Sequence, residues 1–233
     1  MRTALIFCAG SGERYDGETR KQLVVPEPDE FGLGEVLLQR TIRMLDAIGV
    51  RVVVVANHDF PWDIPTASMD PGDGSRFWVE TALATRTEWP DTTGLMMMLG
   101  DVWYSNELID DMVKAADTDA LHFFGRQDAS PLTGGTAGEI WGITCAPRKY
   151  AVLIEALEAS LEDALENPDR PAWQVGSPWQ PYRHLIGVPL TSHAISGCDL
   201  WREHSDWSED FDKVSDLEMW RQRRARRWVG GGL

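Results

Sequence analysis

Residues 4–23 read ALIFCAGSGERYDGETRKQL, and the order of residue types in that stretch decides how the rest of the chain is read. Four apolar residues, Ala4-Leu5-Ile6-Phe7, suit a buried strand. Gly10 and Gly12 then allow backbone conformations closed to other residues, so amide N–H groups can converge on one point. Arg14, Arg20 and Lys21 follow and supply positive charge. A strand, a glycine bend and three cations in that order make a cradle for an anionic group such as phosphate. The competing reading is a plain glycine-rich surface turn.

Two familiar phosphate loops do not fit. A P-loop closes its glycine run with Gly-Lys-Ser/Thr, whereas Gly12 is followed by Glu13-Arg14. The dinucleotide fingerprint needs a third glycine, and Tyr15 stands at that position.

Working outward, apolar periodicity predicts alternating strands and helices and shows no internal repeat. Strands are expected at 3–8, 51–56, 95–99, 119–125 and 139–145, and helices at 35–48, 76–88, 105–116 and 148–165. Gly49 stops the first helix, and a last helix begins close to Lys213. The Met96-Met97-Met98 triplet reads as core strand, and 59–74 and 167–183 read as irregular. This alternation implies an α/β fold with a mostly parallel sheet covered on both faces, and a ligand crevice outside the carboxyl ends of the strands. Gly10 and Asp101 both fall just past such ends.

With 233 residues the chain suits one domain spanning 1–233, with a Pro/Trp-rich segment at 167–183 and a basic helix end at 221–228. A formal net charge of −15 argues against nucleic acid as a partner. Arg221, Arg223, Arg224, Arg226 and Arg227 break that pattern and read as cations complementing a helix end, in preference to a docking site. No apolar run reaches the roughly 20 residues of a membrane span, and no secretory leader is evident, so a cytoplasmic location is expected. Three widely spaced cysteines, Cys8, Cys145 and Cys198, give neither a disulfide framework nor a zinc site.

Asp101 follows an apolar strand and a glycine, which suits a carboxylate projecting into the crevice or a turn aspartate. Late in the chain, Asp210-Phe-Asp-Lys-Val-Ser-Asp-Leu217 supplies further acids before the final helix.

Ala9-Gly10-x-Gly12-x-Arg14 followed by Lys21-Gln22-Leu23 resembles the signature loop of nucleotidyltransferases that couple an NTP to a phosphorylated acceptor. That family usually has Pro-Lys where this chain has Arg20-Lys21. Gly100-Asp101 after a central strand agrees with it, and 210–217 is similar to its late motif, commonly Glu-Ile-Asp-Thr-Pro-Glu-Asp-Leu. Gly34 to Thr41 resembles its helix start, and Glu139-Ile140-Trp141-Gly142-Ile143 the stretch beside its acceptor. The resemblance implies a single-domain Rossmann-like three-layer sandwich with a mostly parallel mixed sheet, of the nucleotide-diphospho-sugar transferase (GT-A-like) kind. It further implies Mg²⁺ held by Asp101 and Asp212, with Asp210 an alternative ligand and Asp216 serving the final helix. Arg14 and Lys21 take the catalytic charge-stabilising roles. Nucleotide contacts fall on Cys8, Ala9, Gly10, Ser11 and Gly12, and on the Asp73-Gly74-Ser75 turn. The expected partners are an NTP and a small phosphorylated acceptor, with a homo-oligomer as a further option.

For the acceptor side, Gly134-Gly135-Thr136 and the aromatics Trp173, Trp179 and Tyr182 are candidates, although eleven tryptophans favour ordinary packing. Two other functions stay open. A glycosyltransferase of the same architecture typically carries Asp-x-Asp at the central strand end, where this chain has Asp101-Val102-Trp103. A nucleotide-binding relative without catalysis would tolerate Arg20 and Asp210 in place of the family residues.

Overall fold

The computed structural model describes residues 1–8, 20–27, 34–57, 59–60, 67–70, 77–133, 135, 138–171, 174–190 and 198–230. In chain order the elements are β1 (Thr3–Phe7), a 3₁₀ turn (Lys21–Leu23), α1 (Leu37–Ala47), β2 (Arg51–Val55) and β3 (Ala67–Met69). Next come α2 (Trp78–Ala84), extended by a 3₁₀ turn (Thr85–Glu88), then β4 (Leu95–Leu99), β5 (Val102–Trp103) and α3 (Asn106–Ala116). β6 (Leu121–Arg126), β7 (Glu139–Cys145), α4 (Tyr150–Glu166) and α5 (Trp179–Leu185) follow. The chain closes with β8 (Trp201–Glu203), β9 (Glu209–Asp210) and α6 (Val214–Gly230).

Among the described residues seven strands form one sheet in the order β3-β2-β1-β4-β7-β6-β8, and β5 pairs with β9 in a separate ribbon. Every neighbour pair in the large sheet is parallel except those of β7 with β4 and β6. The fold is therefore the expected α/β sandwich with a mostly parallel mixed sheet.

Side-chain alternation divides each central strand between two cores. Ala4, Ile6, Val52, Val54, Met96 and Met98 face α1 and α3. Leu5, Phe7, Val53, Val55, Leu95 and Met97 face α2 and α4. Strands buried on both sides must be apolar throughout, which is why the methionine triplet carries no polar residue. Gly49, at φ 72°, ends α1 in the left-handed conformation that favours glycine. Among the described residues no helix is long and apolar enough to cross a membrane.

Two expectations need correction. The 59–74 stretch is not loop throughout, because residues 67–69 pair in parallel with Val53–Val55 as β3. The 167–183 stretch is not irregular throughout, because α5 begins at Trp179. Pro181 is tolerated there as its third residue, where no intrahelical N–H bond is required. Trp179 and Tyr182 pack on the sheet: Trp179 stacks on Trp201 with centroids 5.8 Å apart, and Tyr182 meets Phe123 edge-on at 5.1 Å. The safer account of these two aromatics, packing, is the one observed.

A third, smaller core joins Val24, Leu37, Trp103, Leu132, Phe211, Leu217 and Trp220. It gathers the ribbon, the start of α1 and the face of α6 into one unit beside the carboxyl edge of the sheet.

Candidate active site

The site forms where β1 and β4 end side by side. Cys8 and Gly100 are the residues that leave those strands, and the Gly100 N–H donates to the Phe7 carbonyl at 2.9 Å. A Cβ on Gly100 would lie 2.4 Å from Cys8 Sγ, so only glycine permits this approach. The turn then presents Asp101. Beneath it the Tyr104 hydroxyl accepts from the Leu99 N–H at 2.9 Å and lies 2.7 Å from the Trp141 carbonyl, which pins the turn to β7.

The late acids arrive through the ribbon. Antiparallel pairing sets Val102 opposite Asp210 and Trp103 opposite Glu209, so Asp210 lands next to the Asp101 turn and Asp212 follows two residues on. β7 runs against β4, with Gly142 opposite Met98, so its first residue, Glu139, lies at the same sheet edge.

Lys21, on the 3₁₀ turn, reaches into this group. Its Nζ donates to Asp212 Oδ1 and lies 3.5 Å from Asp101 Oδ2. Burial alone would lower the Lys21 pKa, but the carboxylates of Asp101, Asp212 and Asp210 outweigh it and hold the ammonium charged. The acids around it are in excess. Desolvation, then repulsion from Asp212 and Asp101, pushes Asp210 up to about 8. Desolvation, then Asp210 and Asp212, pushes Glu139 up to about 9. Burial and the Asp101 charge also push the Cys8 thiol upward, which keeps it neutral.

Directly behind this group is a closed one. Arg126 donates to both oxygens of Glu209, at 3.1 and 2.8 Å, and the Ser130 hydroxyl donates to Glu209 Oε2. Arg126 and Glu209 are 3% and 1% exposed, so the pair is sealed from solvent.

Of the residues named from sequence, Lys21, Asp101 and Asp212 are brought together. Cys8 lies at the end of β1, buried, with its N–H donating to the Val55 carbonyl at 2.8 Å. Asp216 accepts from the Lys213 N–H at 2.9 Å at the start of α6, the helix role expected of it. Ala9, Gly10, Ser11, Gly12, Arg14, Gly74 and Ser75 lie outside the described residues, as do Asp73, Gly134, Thr136 and Trp173. Sequence reasoning missed the closeness of Glu139 to the late acids and the Arg126–Glu209 pair. Only the direction of β7 and the β5–β9 register reveal them.

The donor set suits a hard divalent cation. Two carboxylates approach one ammonium, and desolvation, followed by the neighbouring carboxylates, raises the pKa of two more acids, a charge excess that such an ion would offset. Among the described residues, no group of three or more His, Cys, Asp or Glu is arranged to hold a metal.

No family model matches the sequence, and no curated protein matches it either. Solved structures do match in shape. One, from Bacillus anthracis and described as a glucose-1-phosphate thymidylyltransferase in complex with sucrose, has a TM-score of 0.58 at 8% identity, over 96% of this chain and 96% of its own. Another, 4-diphosphocytidyl-2C-methyl-D-erythritol synthase from Anaerococcus prevotii, has a TM-score of 0.54 at 12% identity, over 97% of this chain and 99% of its own. Both are nucleotidyltransferases. This chain shares their fold. At such identities the likeness is one of architecture, and the functional argument must come from the site itself.

Proposed function

We propose that this chain is a Mg²⁺-dependent nucleotidyltransferase that joins an NTP to a small phosphorylated acceptor, a sugar phosphate or similar alcohol phosphate, with release of pyrophosphate. The observation that carries the reading is the meeting of Lys21, Asp101 and Asp212 beside the ends of β1 and β4. Residues 191 positions apart supply an ammonium and a carboxylate to one point, at the edge where α/β sheets bind ligands. The shared fold supports the same reading.

In this reaction an acceptor phosphate oxygen attacks the α-phosphorus while the bond to pyrophosphate breaks, and charge gathers on the α-phosphate and leaving oxygens. Lys21, kept charged by its acidic surroundings, donates hydrogen bonds to those oxygens. Asp101 and Asp212 would hold Mg²⁺, which when bound offsets phosphate charge and polarises the reacting centre. The acceptor phosphate is already ionised, so the chain needs no general base. His122 and His204 are engaged elsewhere, with Arg202 and Asp206 respectively. Arg14 supplies a second cation from the first loop in this proposal.

The test is pyrophosphate release from each of four NTPs with Mg²⁺ and a panel of phosphorylated acceptors. Release is expected only when NTP and acceptor are present together. Thermal stabilisation by an NTP with no release from any pair would leave a binding module. Sugar transfer from a nucleotide sugar without pyrophosphate would reassign the chain to glycosyl transfer. The geometry disfavours that outcome, since Val102 and Trp103 are buried where a second acid would stand.

A further inference from the structure

The basic run near the end of the sequence divides into two populations. α6 continues to Gly230, so Arg221 and Arg224 lie in its middle and not in its last turn. They follow Leu217 and Trp220 at helical spacing on the inward face, whereas Arg223 and Arg226 are exposed. The expectation that this run complements a helix end therefore does not account for Arg221 and Arg224.

Arg221 touches the segment that follows Lys21. Its Nε donates to the Pro26 carbonyl at 2.8 Å and its Nη2 to the Val25 carbonyl at 2.5 Å. Neither carbonyl belongs to a helix or strand, and one planar guanidinium reaches both. Just upstream, Val24 is buried in the third core, its N–H donating to the Lys21 carbonyl at 3.1 Å and its carbonyl accepting from Leu37 N–H at 2.9 Å. Three residues along the helix, Arg224 pairs with Glu27 at 2.9 Å and lies 4.5 and 4.8 Å from the ring centres of Trp103 and Trp220. The stretch from Lys21 to Glu27 is thus tied to α6, the helix that follows Asp212.

We infer that Arg221 is a positioning residue for Lys21: by holding two consecutive carbonyls it fixes the turn from which Nζ reaches Asp101 and Asp212. The effect on turnover rests on the function proposed above. The mechanical effect does not, and the two are read separately.

The experiment compares Arg221→Met and Arg221→Lys with Arg223→Met, a control on the exposed face of the same helix. Amide exchange of peptides covering 20–27 and the rate of Lys21 acetylation by acetic anhydride report the turn directly. Losing hydrogen bonds from a charged donor is expected to raise both roughly tenfold in Arg221→Met. Exchange in β1 and β4 stays as in the wild type, Arg221→Lys falls between, and Arg223→Met matches the wild type. Where wild-type turnover exists, kcat falls roughly tenfold in Arg221→Met with little change in acceptor KM. Wild-type exchange and labelling in Arg221→Met would overturn the inference, as would a rise spread evenly over the sheet. A wild-type protein without turnover would overturn the proposed function and leave the exchange and labelling results to decide on Arg221. Should Arg221→Met fail to fold, Arg221→Lys against Arg223→Met carries the same comparison.

Discussion

Glu209 and Asp210 are neighbours on β9, yet they serve opposite kinds of charged cluster. Glu209 faces a dedicated partner: both oxygens accept from Arg126, Ser130 adds a third bond, and the group is sealed, with burial still holding the Glu209 carboxyl above its usual pKa. Asp210 faces Asp101, Asp212 and Glu139 across one lysine, and the Asp101 and Asp212 side chains remain 30% and 40% exposed. A closed, balanced pair is what a fold needs around a buried charge. An open, unbalanced one has no such partner, and under the function proposed above a divalent cation would offset it. The difference separates scaffold from candidate site on a strand of two residues.

The comparison breaks first if the closed pair proves catalytic. Arg126→Met should cost about 3–5 kcal/mol of stability, because it strands a buried carboxylate, and thermal or denaturant unfolding checks this. The double variant Arg126→Met with Glu209→Leu should recover most of the loss, since both charges are then gone. If Arg126→Met instead folded at wild-type stability and lost turnover, the pair would belong to the site.

The open cluster should show the reverse behaviour. Lys21→Ala and Asp101→Ala are each expected to reduce pyrophosphate release by roughly 10²–10³, the usual loss when one transition-state contact is removed. Both should keep a cooperative unfolding transition. Wild-type rates in either variant would remove that residue from the proposed mechanism.

The parts of the molecule legible in sequence are those with a long local pattern. β1, β2 and β4 are five-residue strands with four or five consecutive apolar residues each, and their two-sided burial leaves an unmistakable signature. Lys21, Asp101 and Asp212 were legible through motifs, each beside a glycine bend, a strand end or a helix start. β5, β8 and β9 are two or three residues long, too short for any period to register, and β8 and β9 carry charged side chains. Arg126 and Glu209 are 83 residues apart, and nothing local to either marks the other. Glu139 sits in a readable strand, but its approach to the acids depends on β7 running antiparallel. What was hidden is non-local: register and direction, set by packing of the whole sheet.

A subtler way to sharpen the comparison is to move the open cluster without touching a charge. Gly100→Ala places a methyl 2.4 Å from Cys8 Sγ and 2.9 Å from the Phe7 carbonyl oxygen, so the Asp101 turn must shift. A stability loss of about 1–3 kcal/mol is expected from such overpacking, together with reduced turnover. Pairing it with Cys8→Ala removes the sulfur contact but not the carbonyl one, so recovery should be partial. Full recovery would show that the backbone approach at Phe7 does not constrain the turn.

The smallest effect concerns a titratable group outside both clusters. His122 on β6 is 4% exposed, and its Nε2 lies 2.9 Å from an Arg202 guanidinium nitrogen. Burial, then the Arg202 charge, lowers its pKa from the usual value, so the folded imidazole stays neutral where the unfolded one takes a proton. Stability is then fully present above the unfolded pKa of about 6.5, and falls as pH drops through that value by at most about 1.4 kcal/mol per unit. The fall stops once the folded imidazole is itself protonated. His122→Phe should flatten this part of the stability profile between about pH 5 and 7.5, read as the difference between variant and wild-type denaturant midpoints. A difference that does not change with pH would mean that the neutral imidazole is not what couples folding to protons there. Among the described residues, the open acidic cluster, whose raised carboxyls titrate higher, would then be one source of pH dependence near neutrality.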